Sequence, residues 1–315
     1  MRRDKEHAAR LFLAWLNQRY GRSFEAEAGD LSPEVVIAED AAGGRLAIVT
    51  ADLSEANAAW DRRRDELAAR LDAARPGAYL LWVPPGGELP AEEPAESEWV
   101  RRVVLAASRL ASGRDGEVRL PARLLLGKVR DEGGYANVAG GLSRHWTTIT
   151  QRLEGSFHVD SNALHRFTRD AEERERLFDE IALLAQGLET GGAVEFEHDD
   201  AWALQRLPRG SADGWAIAGC PPAFDPNDGA ATRRLLRARL TAAAAALAPV
   251  RDAARTLLLV GGYDYLENET AGPALRGFDP ALVTTFDIIA LIAAAGVKPL
   301  AMSRHLGFVE QAAHV

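Results

Sequence analysis

The sequence predicts a mixed α/β fold, and three observations support this prediction. Apolar residues recur with the 3.6-residue period of an amphipathic helix in some segments, and form continuous or alternating runs typical of strands in others. The two kinds of segment alternate along the chain, which is the order expected of an α/β or mixed α+β protein. At 315 residues, of which 47% are hydrophobic and 26% charged, the chain is long enough for one large domain or two ordinary ones.

The first predicted element is an amphipathic helix. Its apolar residues follow the i, i+3, i+4, i+7, i+8 spacing that places them on one side, and Tyr20-Gly21 is typical of a helix end. We therefore expect one face of this helix to pack against another element. The apolar residues are Ala8, Leu11, Phe12, Trp15 and Leu16.

Strands and helices then alternate up to a polar stretch, SGRDGE, that begins at Ser112. Pro and Gly residues punctuate this region, and Ser54 is a candidate N-cap for its central helix. We place a domain boundary at the polar stretch, so that the first domain covers residues 1–113. The predicted elements are strands at 22–29, 33–40 and 45–53, a helix ending near 74, a strand at 78–84 and a helix at 97–111.

Residues 114–315 predict a second α/β domain. Its first feature is a hairpin signal, in which the tight turn Asp131-Glu132-Gly133-Gly134 joins two strand-like segments. The segment 142–161 fits either a short helix or a strand. Beyond it we expect helices at 169–188, 228–250 and 280–296, and strands at 193–207, 214–224, 255–266 and 297–302.

Composition limits the partners and the location. The net charge of −9 argues against nonspecific coating of nucleic acid, which depends on neutralising phosphates. No window approaches eighteen consecutive apolar residues, and the N-terminal segment lacks the apolar run of a signal peptide. These features predict a cytoplasmic protein with no membrane partner. The 34 arginines against three lysines, together with alanine-rich helices, indicate a G+C-rich bacterial source.

The single cysteine, Cys220, excludes an internal disulfide framework and a thiolate metal cage. Its apolar surroundings, AIAGCPPAF, favour a small buried residue over a nucleophile. Sequence signatures of P-loop, dinucleotide-binding, serine-hydrolase and zincin sites do not occur. No cofactor is therefore expected.

Residues 4–84 resemble the αβββαβ core of the PD-(D/E)xK, or restriction-endonuclease-like, superfamily. The resemblance rests on element order and on Pro33-Glu34 at the start of the second strand. It implies that acids of the second and third strands hold a divalent metal, that an acid of the first helix assists, and that a lysine of the third strand stabilises developing charge. Glu34 and Asp4 match the acids of the second strand and the first helix.

The third strand, LAIVTADL, departs from the pattern of the superfamily. Ile48, Thr50 and Asp52 share one face, but Asp52 is followed two residues later by Ser54 instead of lysine. The chain has no lysine between Lys5 and Lys128. We therefore expect an inactive domain in which Asp4, Glu34 and Asp52 are vestiges of a catalytic set.

Two acidic or histidine-rich segments in the second half are candidate metal sites. His158, Asp160 and His165 lie close together in sequence and are ligand types that suit transition metals. Asp264 and Glu267 follow an apolar strand, where α/β folds often build sites. The alternatives are a surface strand followed by a capped helix for the first segment, and a solvated loop for the second.

Arginines are grouped on predicted helices, above all Arg233, Arg234 and Arg237. They are either a solvated helix face or contacts to nucleic-acid phosphates. The sequence therefore predicts a noncatalytic binding or scaffolding subunit of a bacterial assembly, either a protein assembly or one that processes nucleic acid, with defence systems as one example. A protein partner is expected, and a nucleic-acid end or backbone is the other candidate. The alternative is a metal-dependent hydrolase or nuclease that uses the acids of the second half. A divalent metal is expected only under this alternative.

Overall fold

The protein is described by a computed structural model over residues 3–26, 35–84, 86–168, 170–208, 213–221, 229–262, 278, 280–303 and 306. Within these residues the fold is mixed α/β, as the sequence predicts, with seven α-helices and two mixed sheets of six strands each. No helix in the described ranges is long and apolar enough to cross a membrane.

The first sheet combines strands from both ends of the chain. Its central pairs, β3 with β10 and β10 with β11, are parallel, and the outer pairs are antiparallel. Its strands, in spatial order, are β1 (Glu25–Ala26), β2 (Val35–Glu39), β3 (Arg45–Asp52), β10 (Ala254–Gly262), β11 (Ile288–Ala293) and β12 (Gly296–Met302).

Helices cover both faces of this sheet. Helix α6 (Gly229–Leu247) packs Leu236, Leu240 and its later apolar residues on the face that carries Val49 and Leu257. Helix α1 (Arg3–Tyr20) contacts β3, β10, β11 and β12. It lies on the other face, because its Lys5 reaches Asp52, and the side chain of Asp52 is on the face opposite Val49. The predicted stripe of α1 is confirmed in part: Ala8, Phe12 and Leu16 are buried, whereas Leu11 and Trp15 are half-buried.

Helix α2 (Ala58–Ala74) begins later than the candidate cap Ser54 implies. The side chain of Asn57 accepts a hydrogen bond from the Trp60 amide at 3.0 Å, so Asn57 is the N-cap. The prediction of a cap at Ser54 is wrong because Asn57 lies where the helical dihedrals begin.

The second sheet has the order β6-β7-β5-β8-β4-β9. Helices α3 (Ala95–Ser108) and α5 (Ala171–Gln186), the five-residue α4 (Trp146–Thr150) and a 3₁₀ turn (Ser143–His145) complete this part of the fold. The strands are β4 (Ala78–Val83), β5 (Asp115–Arg130), β6 (Gly134–Gly140), β7 (Gly155–Ser161), β8 (Ala193–Arg206) and β9 (Gly214–Gly219).

Two local predictions are corrected by this topology. The expected hairpin of β5 and β6 does not form, because β7 lies between them, antiparallel to β5 and parallel to β6. The buried side chains of β7 join the core shared by β5 and β6, which no local signal at the turn reveals. The helix expected at 280–296 is α7 (Pro280–Val283) followed by strand β11, since a continuous apolar run suits a buried strand as well as a helix.

The expected αβββαβ core is present in element order but not in one sheet. Strand β4 pairs with β8 and β9 in the second sheet, and β10 takes the place beside β3. Strand β10 and helix α6 therefore pack against β3, although β4 and α2 are nearer to it along the chain.

The chain divides into two compact units. The first contains residues 1–85, 110–115 and 204–315, and the second contains residues 86–109 and 116–203. This division differs from a boundary at 113, because β10 pairs with β3 and β9 with β4 across that position. The first unit has 24 basic and 25 acidic residues, whereas the second has 13 and 21, so most of the net negative charge belongs to the second unit.

Candidate functional site

The candidate site lies where the parallel strands of the first sheet end. Asp52 is the last residue of β3 and is paired with Val260 near the end of β10. Lys5 Nζ lies 3.7 Å from Asp52 Oδ2, and the two side chains are 27% and 23% exposed. In α/β folds, ligands commonly bind at the carboxyl ends of parallel strands. The acid and the amine are therefore placed where a ligand can reach them.

Arg239 ties α6 to the same end of the sheet. Its Nε donates a hydrogen bond to the carbonyl oxygen of Asp52, and its Nη2 donates to that of Ser54, both at 3.0 Å. The amide of Leu53 donates to the Val260 carbonyl at 2.7 Å. These bonds satisfy backbone groups of the segment that leaves β3. They also set the position of α6 relative to Asp52.

The three predicted arginines lie on the N-terminal side of Arg239. Helix α6 precedes β10 in the chain and runs antiparallel to it. Its C-terminal residue, Leu247, is therefore far from the end of β3, whereas Arg239 reaches the carbonyl oxygen of Asp52 at that end. Arg233, Arg234 and Arg237 continue in that direction and are exposed. The guanidinium carbon of Arg237 lies 5.5 Å from the ring centroid of Phe278, a cation–π contact that orients the side chain.

Helix α6 differs in its charge from the other long helices. It carries four arginines and no acidic residue, and among the described residues no carboxylate pairs with Arg233, Arg234 or Arg237. On α2, by contrast, Arg63 lies 3.2 Å from Glu66. On α3, Glu98 accepts hydrogen bonds from both Arg101 and Arg102, which lower its pKa to about 2. The guanidinium groups of Arg233, Arg234 and Arg237 therefore keep their donors available to phosphate or carboxylate oxygens.

Asp4, the predicted acid of the first helix, has a partner of its own. Its Oδ2 lies 3.3 Å from Arg64 Nη1, and both side chains are buried. The pair lines a cleft of about 260 Å³ in the first unit, together with the ion pair of Arg3 and Asp72. Asp4 and Asp52 are thus held by different cations. Glu34, the third member of the predicted set, lies outside the described residues.

The predicted ligands of the second half are accounted for in part. His158 and Asp160 share a face of β7, as their spacing predicts, and alternate with buried Phe157 and Val159. Asp160 Oδ1 accepts a hydrogen bond from the Asn162 amide at 3.0 Å. Within the described ranges, no group of three or more His, Cys, Asp or Glu side chains could hold a metal ion. Asp264 and Glu267 lie outside those ranges.

Asp200 is a buried carboxylate that no sequence motif indicates. Its Oδ1 accepts hydrogen bonds from the amides of His165 and Arg166 at 3.0 and 2.7 Å, and its Oδ2 accepts one from Trp202 Nε1 at 3.0 Å. His165 is therefore held through its backbone. Burial raises the pKa of Asp200 to about 6, although these hydrogen bonds act in the opposite direction. In the sequence, Asp200 is recognisable only as an acidic residue at the start of the apolar part of β8.

The second unit also contains a cleft of about 460 Å³ with a polar lining. Arg102 and Asp199 form an ion pair of 2.7 Å beside it. His198 lines the cleft, and its buried Nε2 has no hydrogen-bond partner among the described residues. Desolvation lowers the pKa of His198, so this ring is neutral near pH 7.

Cys220 is buried, as predicted. Its Sγ donates a hydrogen bond to the Gly261 carbonyl at 2.7 Å, and burial raises the pKa of the thiol to about 12. The thiol is therefore protonated near neutral pH and is a poor nucleophile.

Comparisons of the chain with protein-family models, with curated proteins and with solved structures found no match.

Proposed function

We propose that the protein is a noncatalytic subunit that binds the phosphate backbone of nucleic acid through helix α6. The observation that carries the proposal is the set Arg233, Arg234 and Arg237, which are exposed on a helix without acidic residues and have no carboxylate partner among the described residues. Arginine presents its donors in a planar fork that matches phosphate oxygens.

A solvated helix face is the competing explanation for these arginines. Such faces usually place acids three or four residues from the arginines, as α3 does with Glu98 and Arg102. An uncompensated basic stripe costs stability through repulsion between like charges. A ligand with regularly spaced negative charges would remove this cost.

The overall charge is compatible with a local contact to nucleic acid. The excess of acidic residues belongs to the second unit, whereas the first unit is almost balanced. Binding depends on the potential at the contacting surface, because charges beyond about 10 Å are screened at moderate salt. The net charge therefore argues against indiscriminate coating and not against a defined contact at α6.

The proposed absence of catalysis rests on the end of β3. Ser54 stands where the superfamily pattern places its lysine, and Asp4 forms a buried ion pair with Arg64. The protein partner expected for such a subunit stays a prediction.

The test is a triple substitution, Arg233→Gln, Arg234→Gln and Arg237→Gln, with fluorescence anisotropy of a labelled oligonucleotide duplex at several salt concentrations. We expect at least tenfold weaker binding at low salt. The slope of log affinity against log salt should fall by about 0.9 for each phosphate that the variant no longer neutralises.

The matched control removes the same charge elsewhere in the first unit, through Arg19→Gln, Arg114→Gln and Arg251→Gln, all at exposed positions. It should leave affinity within about threefold of the wild type, because exposed charges outside the contacting surface are screened. Equally weakened binding in both variants, or an unchanged slope in the α6 variant, would contradict the proposal.

A further inference from the structure

We propose that Lys5 is a second phosphate contact of this binding site, and that Asp52 pairs with Lys5 when no nucleic acid is bound. This inference rests on the proposed function. It adds a contact from Lys5 of α1, on the opposite face of the sheet, to the contacts from α6. It also means that the Asp52 carboxylate competes with the phosphate for Lys5.

The position of Lys5 places it beside the same end of the sheet as α6. Lys5 lies in the first turn of α1 and approaches Asp52 at the end of β3. Arg239 of α6 binds the carbonyl oxygens of Asp52 and Ser54 from the other face. Helices α1 and α6 therefore both contact the chain at Asp52, from opposite faces of the sheet. A nucleic-acid backbone that passes the end of β3 can contact both helices.

The pair between Lys5 and Asp52 is loose. The distance of 3.7 Å is long for a charge-assisted hydrogen bond, and both side chains are partly exposed. Ion pairs of this kind contribute little to stability. The adjacent pair of Asp4 and Arg64 is different, because both of its members are buried. Asp4 is therefore a structural residue, whereas Lys5 can exchange its partner.

Asp52 has an unfavourable electrostatic effect on a phosphate ligand. A carboxylate beside the ammonium group of Lys5 repels an approaching phosphate and competes for the same donors. Phosphate wins this competition when neighbouring arginines hold the ligand in place, because the second contact is then intramolecular. Neutralising Asp52 should consequently strengthen binding, which is the opposite of what a metal ligand would show.

The experiment measures binding of a labelled oligonucleotide duplex to Asp52→Asn, Lys5→Gln and Lys5→Arg, in buffer containing a chelator. We expect Asp52→Asn to bind roughly threefold to tenfold more tightly and Lys5→Gln to bind weaker by a similar factor. Lys5→Arg keeps the charge and should bind within about twofold of the wild type. The matched control is Glu66→Gln, which removes the carboxylate partner of Arg63 on α2 and should leave affinity unchanged.

The outcomes separate this inference from the proposed function. Unchanged or weaker binding by Asp52→Asn overturns the role of Asp52, while weaker binding by the α6 triple variant still supports the proposed function. If Asp52→Asn does not fold, as judged by circular dichroism, the comparison of Lys5→Gln with Lys5→Arg decides the role of Lys5. Equal affinity of those two variants overturns the inference.

Discussion

The Asp4 carboxylate lies 3.3 Å from the Arg64 guanidinium group, and each of the two side chains is 5% exposed. Breaking a buried pair leaves a charge without compensation and typically costs about 3–5 kcal/mol. Arg64 Nη2 also lies 3.2 Å from Asp61, which offsets part of this cost. We therefore expect Asp4→Ala to lower the free energy of unfolding by about 3 kcal/mol, measured by urea denaturation.

The control for this prediction is Asp65→Ala. Asp65 lies 3.6 Å from the Nε of Arg64, but its side chain is 69% exposed. Water screens such a pair, so the decrease should stay below about 0.5 kcal/mol. Similar decreases in the two variants would show that the Asp4 pair is not buried in solution.

Asp200 should make stability depend on pH. Burial raises its pKa to about 6 from an ordinary value of 3.8, so the folded protein binds a proton more tightly than the unfolded chain. The stabilisation is complete below pH 3.8 and disappears as pH rises through about 6. The whole change is about 3 kcal/mol.

Chemical denaturation of the wild type and of Asp200→Asn between about pH 4 and pH 7.5 tests this effect. Asparagine does not titrate, so the difference in free energy of unfolding, wild type minus variant, should decrease as pH rises through this range. Parallel pH profiles would contradict the assignment. Comparing the difference also removes the contributions of other groups, such as the buried His7, whose pKa is lowered by burial.

Gly140, the last residue of β6, and Gly141, which follows it, allow the chain to approach the segment that begins at the end of β7. A Cβ at Gly141 would overlap the backbone carbonyl of Leu164, whereas a Cβ at Gly134 has open space around it. We expect Gly141→Ala to lower the free energy of unfolding by about 2 kcal/mol, because backbone must shift. Gly134→Ala should change it by less than about 0.5 kcal/mol. Thermal unfolding of both variants tests this, and equal midpoints would contradict it.

Periodicity predicted the elements that have one clear buried face. The stripe of α1 and the alternating burial of β7 are examples, because a single face packed against the core repeats in sequence. Periodicity does not say which element covers that face. The residues of β4 read as a buried strand, and they are one, but the sequence contains no local sign that β9 and not β3 is its parallel neighbour.

The candidate site was predictable in its residues but not in their partners. Composition indicates Arg233 and Arg237, and the end of a strand indicates Asp52. The approach of Lys5 to Asp52 has no such signal, because it depends on the path of α1 across the sheet. Asp200 escapes prediction for the same reason: the amides of His165 and Arg166 that bind it come from a loop that only the folded chain brings to β8.

The pairing of β3 with β10 has a consequence for biosynthesis. About 200 residues separate the two strands, and a ribosome that adds roughly 5–20 residues per second needs about ten to forty seconds to make them. During that interval the nascent chain carries β3 with one edge lacking its neighbour, and such edges recruit other chains. The yield of folded protein is therefore expected to depend on the supply of chaperones.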